Sequence, residues 1–477
     1  MKQAIRQLAK NGTTIASEHD SKENVRMHSQ KCHQDRIGHL VTGSNLLISI
    51  IVALASISTP SFAQANSEAI TSNSFSADTL RLEQVVKEVI RHNDRVAAAR
   101  YMEQSSQAKV GPAGTWNDPM LMLGVVNLPT SFDFKMDDIT MKMIGFSQRV
   151  PYAGEKGLQS KAAQSEAAAS IEERRAVELE MTTAARFAYF DLYYQQRNLE
   201  DLKRQRELLG QIAASTMAKL RVDQAGQDEV LGAQADLWRL ESMILSAEAE
   251  IASASSTLNS LRGLDARSAV PPLAAPYDVV IPDESDQWLT AASEHYPPLK
   301  KLERLSESYG FSAAASQRMR WPMLDLSASY GLREEGPMGP RDNMIGIQAA
   351  FSLPIFTGRQ QGQMARSMRA MQKGTEAESM QLRREIQASL VALHGRAQRL
   401  SKSLLLYREQ IIPASEDAYR SGLAGYASNR TSFIALSTYA AAIYRDRVTA
   451  NQLANELART LAEAERYTID PAVWAGQ

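Results

Sequence analysis

The chain has 477 residues, of which 22% are charged and 6% aromatic, and its formal net charge is −1. A nearly neutral composition without a dense basic segment argues against a nucleic-acid partner. Cys32 is the only cysteine, so the chain can form neither an internal disulfide nor a thiolate metal site.

The N-terminal residues 1–63 are predicted to be a secretory signal peptide. Residues 44–58 form a short apolar run, and Ser61-Phe62-Ala63 is a small-x-small cleavage signal. The basic region ahead of the apolar run has ordinary length if translation starts at Met27 rather than Met1, and the sequence leaves that choice open. Cleavage would leave 46 Lys and Arg against 50 Asp and Glu, with no cysteine to accept a lipid. No later segment has about 18 uninterrupted apolar residues, so we expect no transmembrane helix there.

The rest of the chain contains an internal duplication at a constant offset of 203 residues. The first repeat is predicted at 64–263, with strands at about 118–150 and helices at about 156–262. Residues 264–298 are rich in proline and are predicted to be a linker. The second repeat is predicted at 299–466, with strands at about 322–354 and helices at about 360–466, followed by a C-terminal tail at 467–477. The recurring landmarks are His92 and His295, Pro119 and Pro322, Pro151 and Pro354, and Val230 and Phe433.

Each repeat is predicted to end in a long helical hairpin. Apolar residues recur at steps of three and four from Val230 to Leu261 and again from Phe433 to Ala464, and only Arg447 interrupts the second series. A longer helix precedes each series, at roughly 156–220 and 360–424, with breakers around Asp223–Gly226 and Gly422–Asn429. On this pattern alone, a periplasmic coiled-coil structural protein without a barrel is an alternative.

The predicted strands alternate apolar residues with small or polar ones. In the second repeat Leu324, Leu326, Ala328 and Tyr330 share one face, and Asp325, Ser327 and Ser329 share the other. Strands of this length and pattern suit a transmembrane barrel with lipid outside and water inside, and they also suit the edge of a soluble sandwich. Four strands cannot close a barrel, whereas three chains together would supply enough.

Several segments resemble the TolC-like outer-membrane factors of tripartite efflux pumps. The resemblance rests on Leu80-Arg-Leu-Glu-Gln-Val-Val, on Asn93 where the family has an Asn-Pro pair, on Gln148-Arg-Val-Pro-Tyr-Ala-Gly154 and on Leu353-Pro-Ile-Phe-Thr-Gly358. Two further segments, beginning at Asp118 and Met141, are most similar to members of the CusC/CzcC type that serve heavy-metal efflux. Asp94 departs from the family's proline, which predicts a loosened helix start.

The resemblance implies a mainly α-helical chain with a duplicated β-hairpin and helical-hairpin module. It implies a homotrimer in which a 12-stranded transmembrane β-barrel in the outer membrane of a Gram-negative bacterium continues into an α-helical periplasmic tunnel. The implied partners are outer-membrane lipid, a periplasmic adaptor (membrane fusion protein) and an inner-membrane pump of the resistance-nodulation-division (RND) type. No cofactor is implied. The implied cargo is heavy-metal cations such as Cu and Ag or Co, Zn and Cd, and the alternative is a duct for drugs or for type I protein secretion.

The resemblance places the adaptor-docking tips at the two helical turns. The docking residues would be Val222, Asp223, Gln224 and Gly226 in the first turn and Asn429 and Arg430 in the second. Asp223 and Asn429 stand where the family has glycine, and of the two Asn tolerates the left-handed conformation better. Asp228 and Glu229 after the first tip form a possible acidic ring, although a solvated helix start explains them equally well.

No catalytic constellation is found, so the chain is not expected to be an enzyme. After the signal peptide its three histidines, His92, His295 and His394, lack metal-ligand spacing, and no phosphate-binding loop is present. Transferring the strand facing of the second repeat back by 203 residues places Met120, Met122, Met141 and Met143 on the face predicted to line the lumen. Their thioethers are a possible site for soft metals such as Cu(I) or Ag(I), and simple wall packing is the alternative.

Overall fold

A computed structural model describes residues 79–276, 281, 285–336 and 339–468. The predicted signal peptide and most of the predicted C-terminal tail lie outside these residues. The first repeat contains, in chain order, α1 (Leu82–His92), α2 (Asp94–Ala108), α3 (Val110–Gly114), β1 (Met120–Val126), β2 (Met141–Val150), α4 (Glu155–Leu220) and α5 (Gln227–Leu261). The second contains α6 (Asp286–His295), α7 (Pro297–Arg318), β3 (Leu324–Leu332), β4 (Met344–Phe351), α8 (Gln361–Leu406), a π-helical turn (Tyr407–Ile411), α9 (Ile412–Ala427) and α10 (Phe433–Thr468).

The four strands form one antiparallel sheet in the order β1-β2-β3-β4. Both hairpins pair internally, and β2 pairs with β3 across the two repeats, with Val150 opposite Leu324 and Lys142 opposite Leu332. Because β1 and β4 each have one pairing side free within the sheet, the backbone groups on those sides have no ladder partner in it.

Long helices make up most of the described chain, and α4 alone has 66 residues, which corresponds to about 100 Å. It packs against α5, α7 and α10, and α8 packs against α7 and α10. None of the helices in the described residues combines the length and apolar character that crossing a membrane requires.

The predicted apolar series lies at the helix contacts. Every position of the first series, from Val230 to Leu261, is buried or half-buried, and Leu240 and Leu258 are among the most buried. In the second series Arg447 takes an apolar position because its guanidinium bridges two helices. It contacts Asp201 at 3.5 Å and Glu416 at 2.7 Å, so the interrupting charge is paired.

Three local expectations differ from the structure. The predicted linker contains α6 and the first turn of α7, since the Pro297-Pro298 pair occupies the first helical positions, where proline is compatible with a helix. The second breaker was expected from Gly422, but α9 continues to Ala427, and Gly422 lets the Tyr439 ring approach the helix backbone. The start of α2 is not loosened, because the Asn93 side chain accepts a hydrogen bond from the Arg95 amide at 2.9 Å.

Candidate functional site

The two turns that join the long helices have the same backbone geometry. At the first turn the Gln224 amide donates to the Lys219 carbonyl at 2.9 Å, and the Asp223 amide donates to the Leu220 carbonyl at 3.1 Å. At the second turn the Arg430 amide donates to the Gly425 carbonyl at 2.8 Å, and the Asn429 backbone amide donates to the Tyr426 carbonyl at 3.2 Å. These paired bonds define a Schellman motif, which satisfies the last carbonyls of α4 and α9.

The residue in the left-handed position of each motif is not glycine. Asp223 has a φ of 56° and Asn429 a φ of 57°. The same motif ends α5, where the left-handed residue is Gly263 with a φ of 73°. A Cβ on Gly263 would come 2.5 Å from the His92 carbonyl, so that position requires glycine, whereas the two exposed turns accept a side chain.

Lys219 connects the two turns. Its Nζ donates to the Asn429 Oδ1 at 2.6 Å and also to the Tyr426 carbonyl oxygen. The same ammonium lies 3.9 Å from the centroid of the Tyr426 ring. One cation at the end of α4 therefore holds the end of α9, and the two turns of a single chain lie side by side.

Tyr426 extends this network to α5. Its hydroxyl lies 3.0 Å from the Thr216 Oγ1 and donates to the Glu229 carboxylate at 3.3 Å. Burial raises the pKa of the Tyr426 phenol above its ordinary value, so the proton that bonds Glu229 is retained further into the alkaline range. The apolar base beneath the network includes Ile212, Ala233 and Phe433.

The structure brings the predicted tip residues together at one end of the helical hairpins. Val222, Gln224 and Arg430 are exposed around the two turns, and Gly226 precedes α5. Asp228 and Glu229 both lie in the first turn of α5, where negative charge is favourable. They differ in their surroundings, because Glu229 is bonded to Tyr426 while the exposed Asp228 folds back toward the Gly226 backbone.

Sequence reasoning missed the residues that join the turns, which are Thr216, Lys219 and Tyr426. Each lies within two helical turns of a predicted breaker. Their partners lie on other helices or in the second turn, at sequence separations of 197 to 210 residues, so local spacing carries no signal for them.

The four methionines proposed as metal ligands share one face of the sheet. The register places Met120 opposite Ser147, Met122 opposite Gly145 and Met143 opposite both Gly124 and Gly331, and residues directly opposite each other share a face. A methyl group on Gly331 would come 2.5 Å from the Met141 Sδ, so this glycine makes room for the thioether. Most other residues of this face are small or polar, including Asp325, Ser327, Ser329, Gly346, Gln348 and Ala350, and the apolar exceptions are Val126 and Met344.

The opposite face of the sheet is apolar and exposed in the single chain. Ile345 is 75% exposed, Ile347 is 84% exposed and Leu123 is 72% exposed. A contiguous exposed apolar surface of this kind marks contact with lipid or with another protein. The sheet therefore has one mainly apolar face, which Lys142 and Gln148 interrupt, and one face of methionine, glycine and mostly polar residues.

Comparison with known proteins supports the same architecture. No family model matches the chain, and no curated protein matches it. Solved structures do match. The outer membrane protein VceC from Vibrio cholerae is 15% identical, with a TM-score of 0.68 over 81% of this chain and 95% of that one. The channel-forming protein CusC is 14% identical, with a TM-score of 0.68 over 81% and 91%. The outer membrane channel MtrE from Neisseria gonorrhoeae is 15% identical, with a TM-score of 0.67 over 81% and 88%.

The chain has the fold of these outer-membrane channels. The predicted resemblance is thereby confirmed at the level of the fold, which is mainly helical with a small antiparallel sheet. At these identities the likeness carries no information on cargo.

Proposed function

We propose that the chain is an outer-membrane channel protein of a Gram-negative bacterium and serves as the exit duct of a tripartite efflux pump of the RND type. The observation that carries this proposal is the fold shared with outer-membrane channels over 81% of the chain. The two-faced sheet supports it independently, because an apolar exposed face is expected only where lipid or a partner covers it.

Three chains would complete the membrane part. The free sides of β1 and β4 can pair between neighbouring copies, and three four-stranded sheets then form a closed 12-stranded barrel. In that arrangement the apolar face, with Ile345 and Ile347, contacts lipid, and the methionine face lines the lumen. Closure also removes both exposed edges, which a single chain leaves free.

The long helices would continue the duct across the periplasm, with the two turns as its far end. The exposed turn residues Val222, Gln224 and Arg430 are then available to the helical hairpin of a periplasmic adaptor. The Lys219 and Tyr426 network holds the two turns of each chain together, so we expect its bonds to break when the duct opens. Energy for transport would come from the inner-membrane pump, and the duct itself would be passive and non-enzymatic.

The methionine face favours soft metal cations as cargo. Thioethers prefer Cu(I) and Ag(I), and Met122 and Met143 line the same concave surface as Asp325 and Ser327. Trimer formation would present twelve such thioethers from Met120, Met122, Met141 and Met143. A drug or polypeptide duct is the competing assignment, and it requires no thioether on this face.

Fractionation and conductance test the channel assignment. The protein should sediment with outer membranes, run as a detergent-resistant trimer and conduct ions after reconstitution into a planar bilayer. Recovery as a soluble periplasmic protein without conductance would refute the channel and favour a coiled-coil structural protein. A cysteine at Gln224 or Arg430 should crosslink to the adaptor, and labelling of those cysteines by external reagents on intact cells would reverse the proposed orientation.

A second experiment separates metal cargo from other cargo. Replacing the four methionines Met120, Met122, Met141 and Met143 by Leu nearly conserves volume and polarity, so trimer yield and conductance should be retained. Copper or silver tolerance should fall in cells that depend on this duct. Unchanged tolerance at equal protein level would remove the metal assignment and leave the channel assignment intact.

A further inference from the structure

Basic and aromatic side chains cluster where the sheet meets the helices in the second repeat. We call the residues Arg318, Arg320, Trp321, Phe356 and Arg359 the junction patch. All five are exposed, Trp321 by 68% and Phe356 by 65%. Neither aromatic ring has a stacking partner within the described residues, so the cluster is open to a partner.

Two chain segments meet at this patch. The Met323 amide donates to the Ser352 Oγ at 2.7 Å, and the Ser352 amide donates back to the Met323 carbonyl at 3.0 Å. This exchange joins the segment that leaves α7 to the segment that follows β4. Arg320 reaches across the second segment as far as Gly362. A methyl group on Gly362 would come 2.8 Å from the Arg320 Nη2. The guanidinium therefore lies over the first turn of α8.

The arginines of the patch have no acidic neighbour in the adjoining sequence and, within the part of the chain that the structure describes, no ion-pair partner. The chain contains no Asp or Glu between Ser308 and Leu324, nor between Ser352 and Thr375. Among the described residues, the three arginines of the patch form no ion pair, in contrast to most arginines on the long helices. The first turns of α8 add three more exposed cations, which are Arg366, Arg369 and Lys373.

The first repeat lacks this arrangement at the equivalent positions. Thr115, Asn117, Asp118 and Ala153 stand in place of Arg318, Arg320, Trp321 and Phe356. Only Lys156, in place of Arg359, keeps the charge. The buried Glu155 also lies at that junction. The patch is therefore a feature of the second repeat and not a general consequence of how strands connect to helices in this fold.

The patch lies where the apolar face of the sheet ends. That face continues from Ile347 through Phe351 to Leu353, which is 77% exposed, and Ile355 beyond it is 75% exposed. Strands of eight to ten residues, such as β2, β3 and β4, have about the length of a transmembrane strand. If the apolar face occupies the hydrocarbon, the patch falls at the headgroup level, where aromatic side chains and Arg or Lys are favoured.

We propose that the junction patch binds the phosphate headgroups of anionic phospholipids on the helix side of the membrane. This inference rests on the proposed function, because it requires the sheet to lie in a bilayer. The arginines Arg318, Arg320 and Arg359 contact headgroup phosphates, and Trp321 and Phe356 lie at the boundary with the acyl chains. Each chain of a trimer would carry one such site.

The test compares lipid selectivity of the intact trimer in vesicles. Trp321 fluorescence is measured in two kinds of vesicle, both made of phosphatidylglycerol and phosphatidylcholine. In the first only phosphatidylglycerol is brominated, and in the second only phosphatidylcholine is. Trp116→Phe removes the other tryptophan near the strand ends. Quenching by the anionic lipid should exceed quenching by the zwitterionic one. The triple change Arg318→Gln, Arg320→Gln and Arg359→Gln should lower that selectivity by roughly tenfold, since each basic residue near an anionic surface contributes about fivefold and the three share neighbouring headgroups.

Controls separate this site from nonspecific charge and from failed insertion. The triple change Arg239→Gln, Arg399→Gln and Arg420→Gln removes equal charge from exposed positions on the long helices and should leave selectivity unchanged. Lys at the three patch positions should restore most of the selectivity. Equal quenching by both lipids in wild-type protein that inserts and conducts would overturn the lipid site while leaving the channel intact. Failure of the wild-type protein to insert into any vesicle would overturn both proposals. Displacement of the lipid by inorganic phosphate at constant ionic strength would overturn the assignment to lipid.

Discussion

Replacing the left-handed residue of each helical turn by glycine should have opposite effects on the two turns. Asp223 and Asn429 have nearly equal φ angles of 56° and 57°. Glycine relieves about 1 kcal/mol of backbone strain at Asp223 and slightly less at Asn429, because asparagine tolerates this conformation better. Glycine also costs about 0.5 kcal/mol through the greater freedom of the unfolded chain. Asp223→Gly should therefore stabilise the first turn by about 0.5 kcal/mol. Asn429→Gly additionally loses the 2.6 Å bond from Lys219, worth about 1 kcal/mol, and should destabilise the second turn by about 0.5 kcal/mol.

Hydrogen exchange at the turn amides measures these changes locally. The reporters are the Gln224 amide, bonded to Lys219 at 2.9 Å, and the Arg430 amide, bonded to Gly425 at 2.8 Å. We expect about a twofold gain in protection for Gln224 in Asp223→Gly and about a twofold loss for Arg430 in Asn429→Gly. In a Lys219→Met background, Asn429→Gly should change sign and become stabilising. A shift of both single variants in the same direction would refute the role assigned to the Lys219 bond.

Three further predictions follow from buried contacts. Leu240→Asp places a charge in the helix contact formed with Leu202 and Ile244, so it should lower the stability of that contact by several kcal/mol and abolish detergent-resistant trimers. Ser242→Asp, on the exposed side of the same helix, should still assemble. Normal assembly of the Leu240 variant would contradict the helix contact. Tyr426→Phe removes the hydrogen bonds to Thr216 and Glu229 and should lower the protection of the Arg430 amide from hydrogen exchange about fivefold. Unchanged exchange would show that the network is not coupled to the turn. The Tyr189 hydroxyl donates to the Leu80 and Ala274 carbonyls, and burial raises its pKa to about 12. Its contribution is therefore complete below pH 10.0 and is lost as the pH rises toward about 12. The protection factor of the Leu80 amide, which corrects for base-catalysed intrinsic exchange, should fall in that window in the wild type but not in Tyr189→Phe.

Much of the fold follows from periodicity that is local in the sequence. The step of three and four residues from Val230 to Leu261 is sufficient to place a helix and its buried side, because helical geometry repeats every 3.6 residues. The alternation around Leu324 and Ile345 likewise separates the two faces of a strand, because strand geometry repeats every two residues. The offset of 203 residues then transfers both assignments to the other repeat, including the shared face of the four methionines.

The tertiary structure alone decides which distant residues meet. Lys219 and Asn429 are 210 residues apart, and Arg447 forms an ion pair with Asp201 on a different helix, so neither contact has a signature in local spacing. The exposure of Trp321 and Phe356 beside unpaired arginines also becomes visible only when the end of α7 and the start of α8 are placed together. Local chain geometry sets the periods of helices and strands, so the sequence by itself determines these elements and their faces. The partner of a polar side chain depends on how the elements pack, so only the tertiary structure determines the contacts between them.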